Sequence, residues 1–298
     1  MLDHPDLVAR CSVIQRKLVD RLGTVLERYP IDSYIQNLRS ISEVGKYQLR
    51  DSNVFHVFNS LSEQDSSCAQ MYNATAVVML IRSSATEILD MGLTADVIQL
   101  CYENFDRILD NVESGEITYM TFPSDQFDKD LSAALLHLVC VGAQKIHKVH
   151  FPNHSVKRHP ITWFRIVRQV GYRGILYEMH TDSNDPNLME DFSETGWTDF
   201  YRRVAALLEK NQVQGVIGSS WFFDPTLETI SPRLSYLRRI VVGNGGISVR
   251  GRSDESSVES ATRTSPTRRD LYQAGEYQPT SYTLVWPRSA LISWANQK

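Results

Sequence analysis

Along the first half of the chain, apolar residues return every three or four positions. From Pro5 to Tyr29 the repeat runs through Leu7, Cys11, Ile14, Leu18, Leu22 and Val25, and Pro30 breaks it, which predicts a single amphipathic helix over 5–29. The same period recurs over 74–91, 94–112 and 124–141. Val97, Cys101, Phe105, Ile108 and Val112 form one stripe, Phe127, Leu131, Ala134, Leu138 and Val141 another, and Ser124 after Pro123 is the N-cap of the latter. The second half changes rhythm. The short run GILYEMH (174–180) reads as a strand, 197–210 has helical spacing, and 214–223 reads as a buried strand closed by Asp224 and Pro225. Strand, helix, strand in that order predicts a βαβ unit with parallel strands. Ser231 and Pro232 open a helix to about Arg239. A glycine-rich turn at 243–246 precedes a strand over 247–250, then one or two helices within 253–274, and a last strand over 282–286.

The division between the two rhythms falls between Lys145 and Pro160, where His, Lys and Pro crowd together without a sustained period. The expected organisation is a helical domain over 1–150 and an α/β (α+β) domain over 151–298, with no internal repeat.

Charge and composition narrow the function. A formal charge of −4 with an isoelectric point near 6.1 argues against general binding to nucleic acid or anionic membranes, while leaving room for a local basic site. The longest apolar run, Ala133 to Ala143, is interrupted by His137 and falls short of the roughly 20 residues a membrane span requires. The first residues carry acids and no apolar core of a secretory signal, so a soluble cytoplasmic protein is expected. Cys11, Cys68, Cys101 and Cys140 lie far apart, with no CxxC spacing, and read as buried thiols.

If 177–180 and 216–223 are neighbouring parallel strands, their carboxyl ends share one edge of the sheet, where open α/β sheets hold ligands. His180 would meet Ser220, Trp221 and Asp224 there, with Glu178 two residues earlier on the same strand face to tune the imidazole. The plainer alternative is that His180 caps a strand end and Asp224 opens a turn. His147, His150, His154 and His159 suggest a metal, but their spacing fits no regular zinc signature and no metal is expected. Eight arginines against three acids lie between Ser231 and Arg269; of these Arg233, Arg268 and Arg269 could hold a phosphate or carboxylate, or make up a solvated helix face.

YEMH (177–180), SWFFDPTL (220–227) and TSPTRRDLYQAG (264–275) together resemble, in order and spacing, a bacterial family of acyltransferase-type proteins with a helical N-terminal domain and a GNAT-like mixed-sheet C-terminal domain. The likeness covers about the last 125 residues, and its most specific part is Ser220, Trp221, Asp224 and Pro225. Phe222 and Phe223 stand where the family has a leucine pair. The resemblance implies acyl transfer from a thioester to an amine or hydroxyl of a small-molecule acceptor. His180 would be the general base, Asp224 its positioner, and Ser220 with backbone N–H groups near Trp221 would stabilise the oxyanion. Glu178, Trp221, Arg233, Arg268 and Arg269 would bind substrate. The loop before the 197–210 helix is acidic and lacks the glycine-rich sequence that cradles a pyrophosphate. Acyl-coenzyme A and an acyl carrier protein thioester are therefore the two donors to weigh. The reading from a different class is a non-catalytic binding or regulatory module for a small anionic ligand or a protein partner.

Overall fold

A computed structural model describes residues 4–45, 56–151, 159–181 and 192–297. The chain divides into two compact units, residues 1–141 with 145–147, and residues 142–144 with 148–298. The acidic stretch 182–191 and His154 lie outside the described residues.

The first unit is helical: α1 (His4–Leu22), α2 (Val25–Arg28), α3 (Ile31–Arg39), α4 (His56–Gln64), α5 (Ser66–Glu87), α6 (Ala95–Ser114) and α7 (Asp125–Ala134). Leu7, Cys11, Ile14, Leu18 and Leu22 form the buried stripe of α1. Each such Leu or Ile contributes about 1.5–3 kcal/mol when removed from water. Helix α5 is the centre. Its small residues Ala69, Ala74, Ala76 and Ala85 are buried around most of its circumference, and it packs against α1, α3, α4, α6 and α7. Asp65 caps it by accepting the N–H groups of Ser67 and Cys68.

Two of the expected helices are shorter than their periodicity suggests. The predicted 5–29 helix ends at Leu22, because Gly23 adopts φ +49 and starts a separate short turn. The predicted 124–141 helix ends at Ala134. Leu136 takes φ 59, and the N–H groups of His137 and Leu138 both turn back to the carbonyl of Ser132. The chain then forms β1 (Val139–Cys140), antiparallel to the start of β2 (Lys145–His150).

On β2, His147 is buried and its imidazole is pushed down to about 4, chiefly by desolvation, with His137 adding to the effect and a hydrogen bond at the Gly45 backbone opposing it. The folded state thus holds His147 neutral where an unfolded chain, with a pKa near 6.5, takes up a proton. Its stabilising contribution is complete above pH 6.5 and is lost as pH falls toward 4, amounting to about 3 kcal/mol over the window. Urea titrations of wild type and His147→Gln at pH 7 and pH 4.5 should show a smaller acid loss in the variant; equal losses would remove His147 from the acid response.

The second unit contains α8 (Pro160–Val170), β3 (Ile175–His180), α9 (Glu194–Lys210), β4 (Gly215–Ser220), α10 (Leu227–Ile230), α11 (Tyr236–Val242), β5 (Ile247–Arg250), α12 (Glu255–Thr262), α13 (Pro266–Gln273), β6 (Tyr282–Pro287) and α14 (Arg288–Ala295). Strands β3, β4, β6 and β5 lie side by side in that order; β3 and β4 are parallel, and the other pairs are antiparallel. This is a mixed sheet with helices on both faces. Alternation decides which residues face which helix. Leu176, Ile217, Val285, Ile247 and Val249 join Ile166 and Val170 of α8 in one core. Trp286, next to Val285, points the other way and meets Tyr201 of α9 at 5.0 Å and Trp294 of α14 at 5.1 Å.

The predicted helix 231–239 is a 3-10 turn, Pro232–Leu234, followed by α11, and the 253–274 region is two helices divided at Ser265 and Pro266. Ser265 caps the second through the N–H of Arg268.

Candidate functional site

Because β3 and β4 are parallel, they end at the same edge of the sheet. Their register pairs Tyr177 with Val216 and Glu178 with Ile217, and both strands continue past these residues, to His180 and Ser220. At this edge lies a cavity of about 580 Å³, with His180, Ser219, Ser220 and Trp221 in its wall.

Leu176 faces α8, so the period of two places Glu178 and His180 on that face and Met179 on the face of α9. Nε2 of His180 lies 4.0 Å from Oε2 of Glu178, and each side chain is 22% exposed. On β4, Ser219 follows Ile217 onto the α8 face, where its hydroxyl pairs with that of Thr283 at 2.7 Å. Ser220 lies on the opposite face and reaches the cavity because the strand ends there. Its Oγ accepts the N–H of Phe222 at 3.5 Å, an arrangement that leaves the hydroxyl proton available for donation.

That bond explains the aromatic run. The strand predicted to reach Phe223 stops at Ser220, and Trp221–Phe223 form a 3-10 turn capped by the Ser220 side chain. The turn carries Phe222 and Phe223 into a cluster with Phe192 and Trp197, with ring centroids 4.7 to 6.3 Å apart. All four rings line the cavity, together with Met179. Among the described residues the indole N–H of the fully buried Trp197 has no acceptor, so a polar group of a bound molecule or a water would satisfy it. Gly218 makes room for this wall, since a Cβ there would come within 2.6 Å of Met179 Cγ.

Asp224 is not in the cavity wall. Its carboxylate is 4% exposed; Oδ1 accepts the N–H and hydroxyl of Thr226 at 3.0 and 2.7 Å, and Oδ2 accepts the N–H of Thr280 at 3.2 Å. These bonds tie the turn after β4 to the chain before β6, and the carboxylate makes none to His180. Arg268 is likewise buried. Its Nε donates to the carbonyl of Ala261 at 2.6 Å and one terminal nitrogen to the Ser231 hydroxyl at 3.2 Å, while the guanidinium lies 4.8 Å from the centre of the Trp221 ring. Burial, followed by the positive charge of Arg233, pushes its pKa down, and the neighbouring Tyr277 partly offsets this. It holds Trp221 from behind. Arg269 donates to the carbonyls of Thr262 and Arg263, and Arg233 is exposed on the 3-10 turn; neither lines the cavity.

Helix α12 and its two capping residues contribute Asp254, Ser256, Ser260 and Arg263 to the cavity wall. Asp254 is its N-cap, accepting the N–H of Ser257 at 2.8 Å, and this bond holds the carboxyl below the usual range. Arg263 is exposed at the end of that helix. It belonged to the arginine-rich stretch but carried no distinguishing mark; the polar repeat Ser256, Ser260, Arg263, at helical spacing, was the signal that could have singled it out.

Burial pushes the Cys11 thiol up to about 12 and raises Cys68, while a hydrogen bond with Cys140, and burial after it, raises Cys101, so these three thiols are poor nucleophiles. Of the histidine group, His147 is buried on β2, His150 is exposed at its end, and His159 bonds through Nε2 to the carbonyl of Arg250 at 2.8 Å.

No protein-family model matches the chain, and no curated protein matches it in sequence. Solved structures match in fold. An acyltransferase variant crystallised with octanoyl-CoA superposes with a TM-score of 0.53 at 11% identity, covering 95% of this chain and 87% of that one. An acyltransferase in complex with decanoyl-CoA and teicoplanin gives 0.52 at 12% identity, over 94% and 86%. Across its helical and mixed-sheet parts alike, the chain is similar in fold to acyltransferases crystallised with acyl-CoA.

Proposed function

We propose that this protein is an acyltransferase with a GNAT-like C-terminal domain, moving an acyl group from a coenzyme A thioester to an amine or hydroxyl acceptor. The observation that carries the reading is a single cavity at the shared end of two parallel strands, walled by His180 with Glu178 beside it, by the Ser220 hydroxyl and by an aromatic cluster. It stands in a chain whose fold resembles enzymes crystallised with octanoyl- and decanoyl-CoA.

His180 takes the proton of the acceptor N–H or O–H as that atom attacks the thioester carbonyl, and then returns the proton to the departing sulfur. The bond from acceptor to acyl carbon forms, the carbon–sulfur bond breaks, and a free thiol leaves. Glu178 stabilises the imidazolium during that interval. Ser220 donates its hydroxyl proton toward the carbonyl oxygen as negative charge grows there. Met179, Phe192, Trp197 and Phe222 give the acyl chain an apolar wall. Among the described residues of the cavity wall, Arg263 is a cation suited to the anionic end of the donor.

Thermal unfolding with ligands tests the reading, because a molecule that binds only the folded state raises its stability, by about 2.7 kcal/mol at a hundred times Kd. Acyl-CoA should raise the midpoint where phosphate or sulfate at equal concentration does not; a response to the simple anions alone would favour a binding module. Arg263→Ala should weaken CoA binding about tenfold, leaving turnover at saturating donor near wild type. Unchanged CoA affinity would take Arg263 out of donor recognition.

A further inference from the structure

The cavity accounts for one end of the second unit; helix α8 raises a separate question. Among the described residues, the large apolar side chains that stand in water include Ile161 at 86%, Phe164 at 65% and Tyr172 at 59% exposure, all within α8 and the turn that follows it. Their presence there is not required by the fold. The inner face of α8, Trp163, Ile166, Val167 and Val170, already packs against the sheet, and Tyr172 touches the edge of Trp163 with ring centroids 6.1 Å apart. Ile161, Phe164, Arg165, Arg168 and Tyr172 follow at helical spacing along the outer side.

Charge on this outer surface has one sign. Arg165, Arg168 and Arg173 are exposed, and no acidic residue occurs from His159 to Tyr177, in a chain whose formal charge is −4. Apolar side chains on the crest of a helix with arginines beside them form a surface suited to the boundary between lipid headgroups and acyl chains. The apolar groups enter the boundary, and the guanidiniums meet phosphates.

We propose that the outer face of α8 docks this protein reversibly on an anionic phospholipid surface. The area favours lipid over a protein partner. Ile161, Phe164 and Tyr172 together expose on the order of 400 Å², about half of the ~800 Å² per partner of a specific protein interface. The patch is also a ridge of protruding side chains, and protruding side chains enter an interface where a protein would have to supply a matching groove. A few apolar residues plus a few cations yield marginal, reversible membrane binding. The proposal is independent of the acyl-transfer reading.

Co-sedimentation of the full chain with vesicles tests it. Wild type should sediment with phosphatidylcholine vesicles that carry phosphatidylserine, stay in solution with phosphatidylcholine alone, and be released by high salt, which screens the arginines. The double variants Ile161→Ser with Phe164→Ser, and Arg165→Gln with Arg168→Gln, should each lower the bound fraction at least about fivefold. All four positions are exposed, and an unchanged melting temperature checks that the fold survives. Wild-type protein left in the supernatant with the anionic vesicles would overturn the proposal and redirect the patch toward an acidic protein. Sedimentation of folded double variants at the wild-type level would overturn it too.

Discussion

Replacing His180 by alanine should lower acyl transfer at saturating donor by about a hundredfold or more, a barrier increase of about 2.7 kcal/mol, while the melting temperature stays close to wild type. The two halves of that expectation have separate causes. The side chain is 22% exposed and lines an open cavity, so its loss creates no sealed void and strands no fully buried charge. Among the described residues of that wall, the imidazole is the candidate base, since Asp254 is held below the usual carboxylate range by Ser257; Asp224, outside the wall, is consumed by Thr226 and Thr280. A steady-state assay with an acyl-CoA and a panel of amine and hydroxyl acceptors would measure the effect. Wild-type turnover in a folded His180→Ala protein would exclude the imidazole as base, although it would leave the lipid-docking face of α8 untouched.

The largest stability effect should come from the other unit. Asp130→Ala should cost about 3–5 kcal/mol, read as a fall in the urea midpoint at unchanged slope. Asp130 is fully buried on α7, and its carboxylate accepts from Arg107 at 2.5 Å, from the Tyr119 hydroxyl at 2.9 Å and from Gln126 at 2.9 Å. Burial raises the Tyr119 hydroxyl, and the Asp130 charge raises it further, so the phenol remains a donor. Truncation would leave a guanidinium that is only 16% exposed without that carboxylate, and a half-buried phenol without that acceptor. The expected loss is a large part of the roughly 5–15 kcal/mol that holds a domain folded. A change below about 1 kcal/mol would mean that water or neighbouring groups take over the carboxylate's contacts.

Periodicity was a good guide wherever one face of an element is apolar. The stripes of α1 and α6 and the βαβ order of β3, α9 and β4 could be read from spacing because burial enforces it. It failed where polar side chains are buried. Lys145 is 3% exposed and bonds through Nζ to Asn104, and His147 is 3% exposed, so β2 looked like part of a linker. It also overshot where one residue reverses the chain, as at Gly23 and Leu136. The edge that gathers His180 and Ser220 was legible, since parallel strands end together. The partners of Asp224 and Arg268 were not, because Thr280 lies 56 residues from Asp224, and Ser231 lies 37 residues from Arg268.

By itself, then, the amino-acid order determined a helical first part, a strand–helix–strand unit in the second, and the chemical identity of the groups delivered to the end of that unit. These follow from local spacing, caps and turn residues, which act over a few positions of chain. Tertiary structure alone decided which of those groups face the cavity. It turned two expected site residues, Asp224 and Arg268, into supports by surrounding them with hydrogen-bond partners from distant segments, and it brought Arg263 into the wall instead. A carboxylate or guanidinium carries the same charge in either setting, and its role depends on whether burial and neighbouring donors or acceptors have already used it.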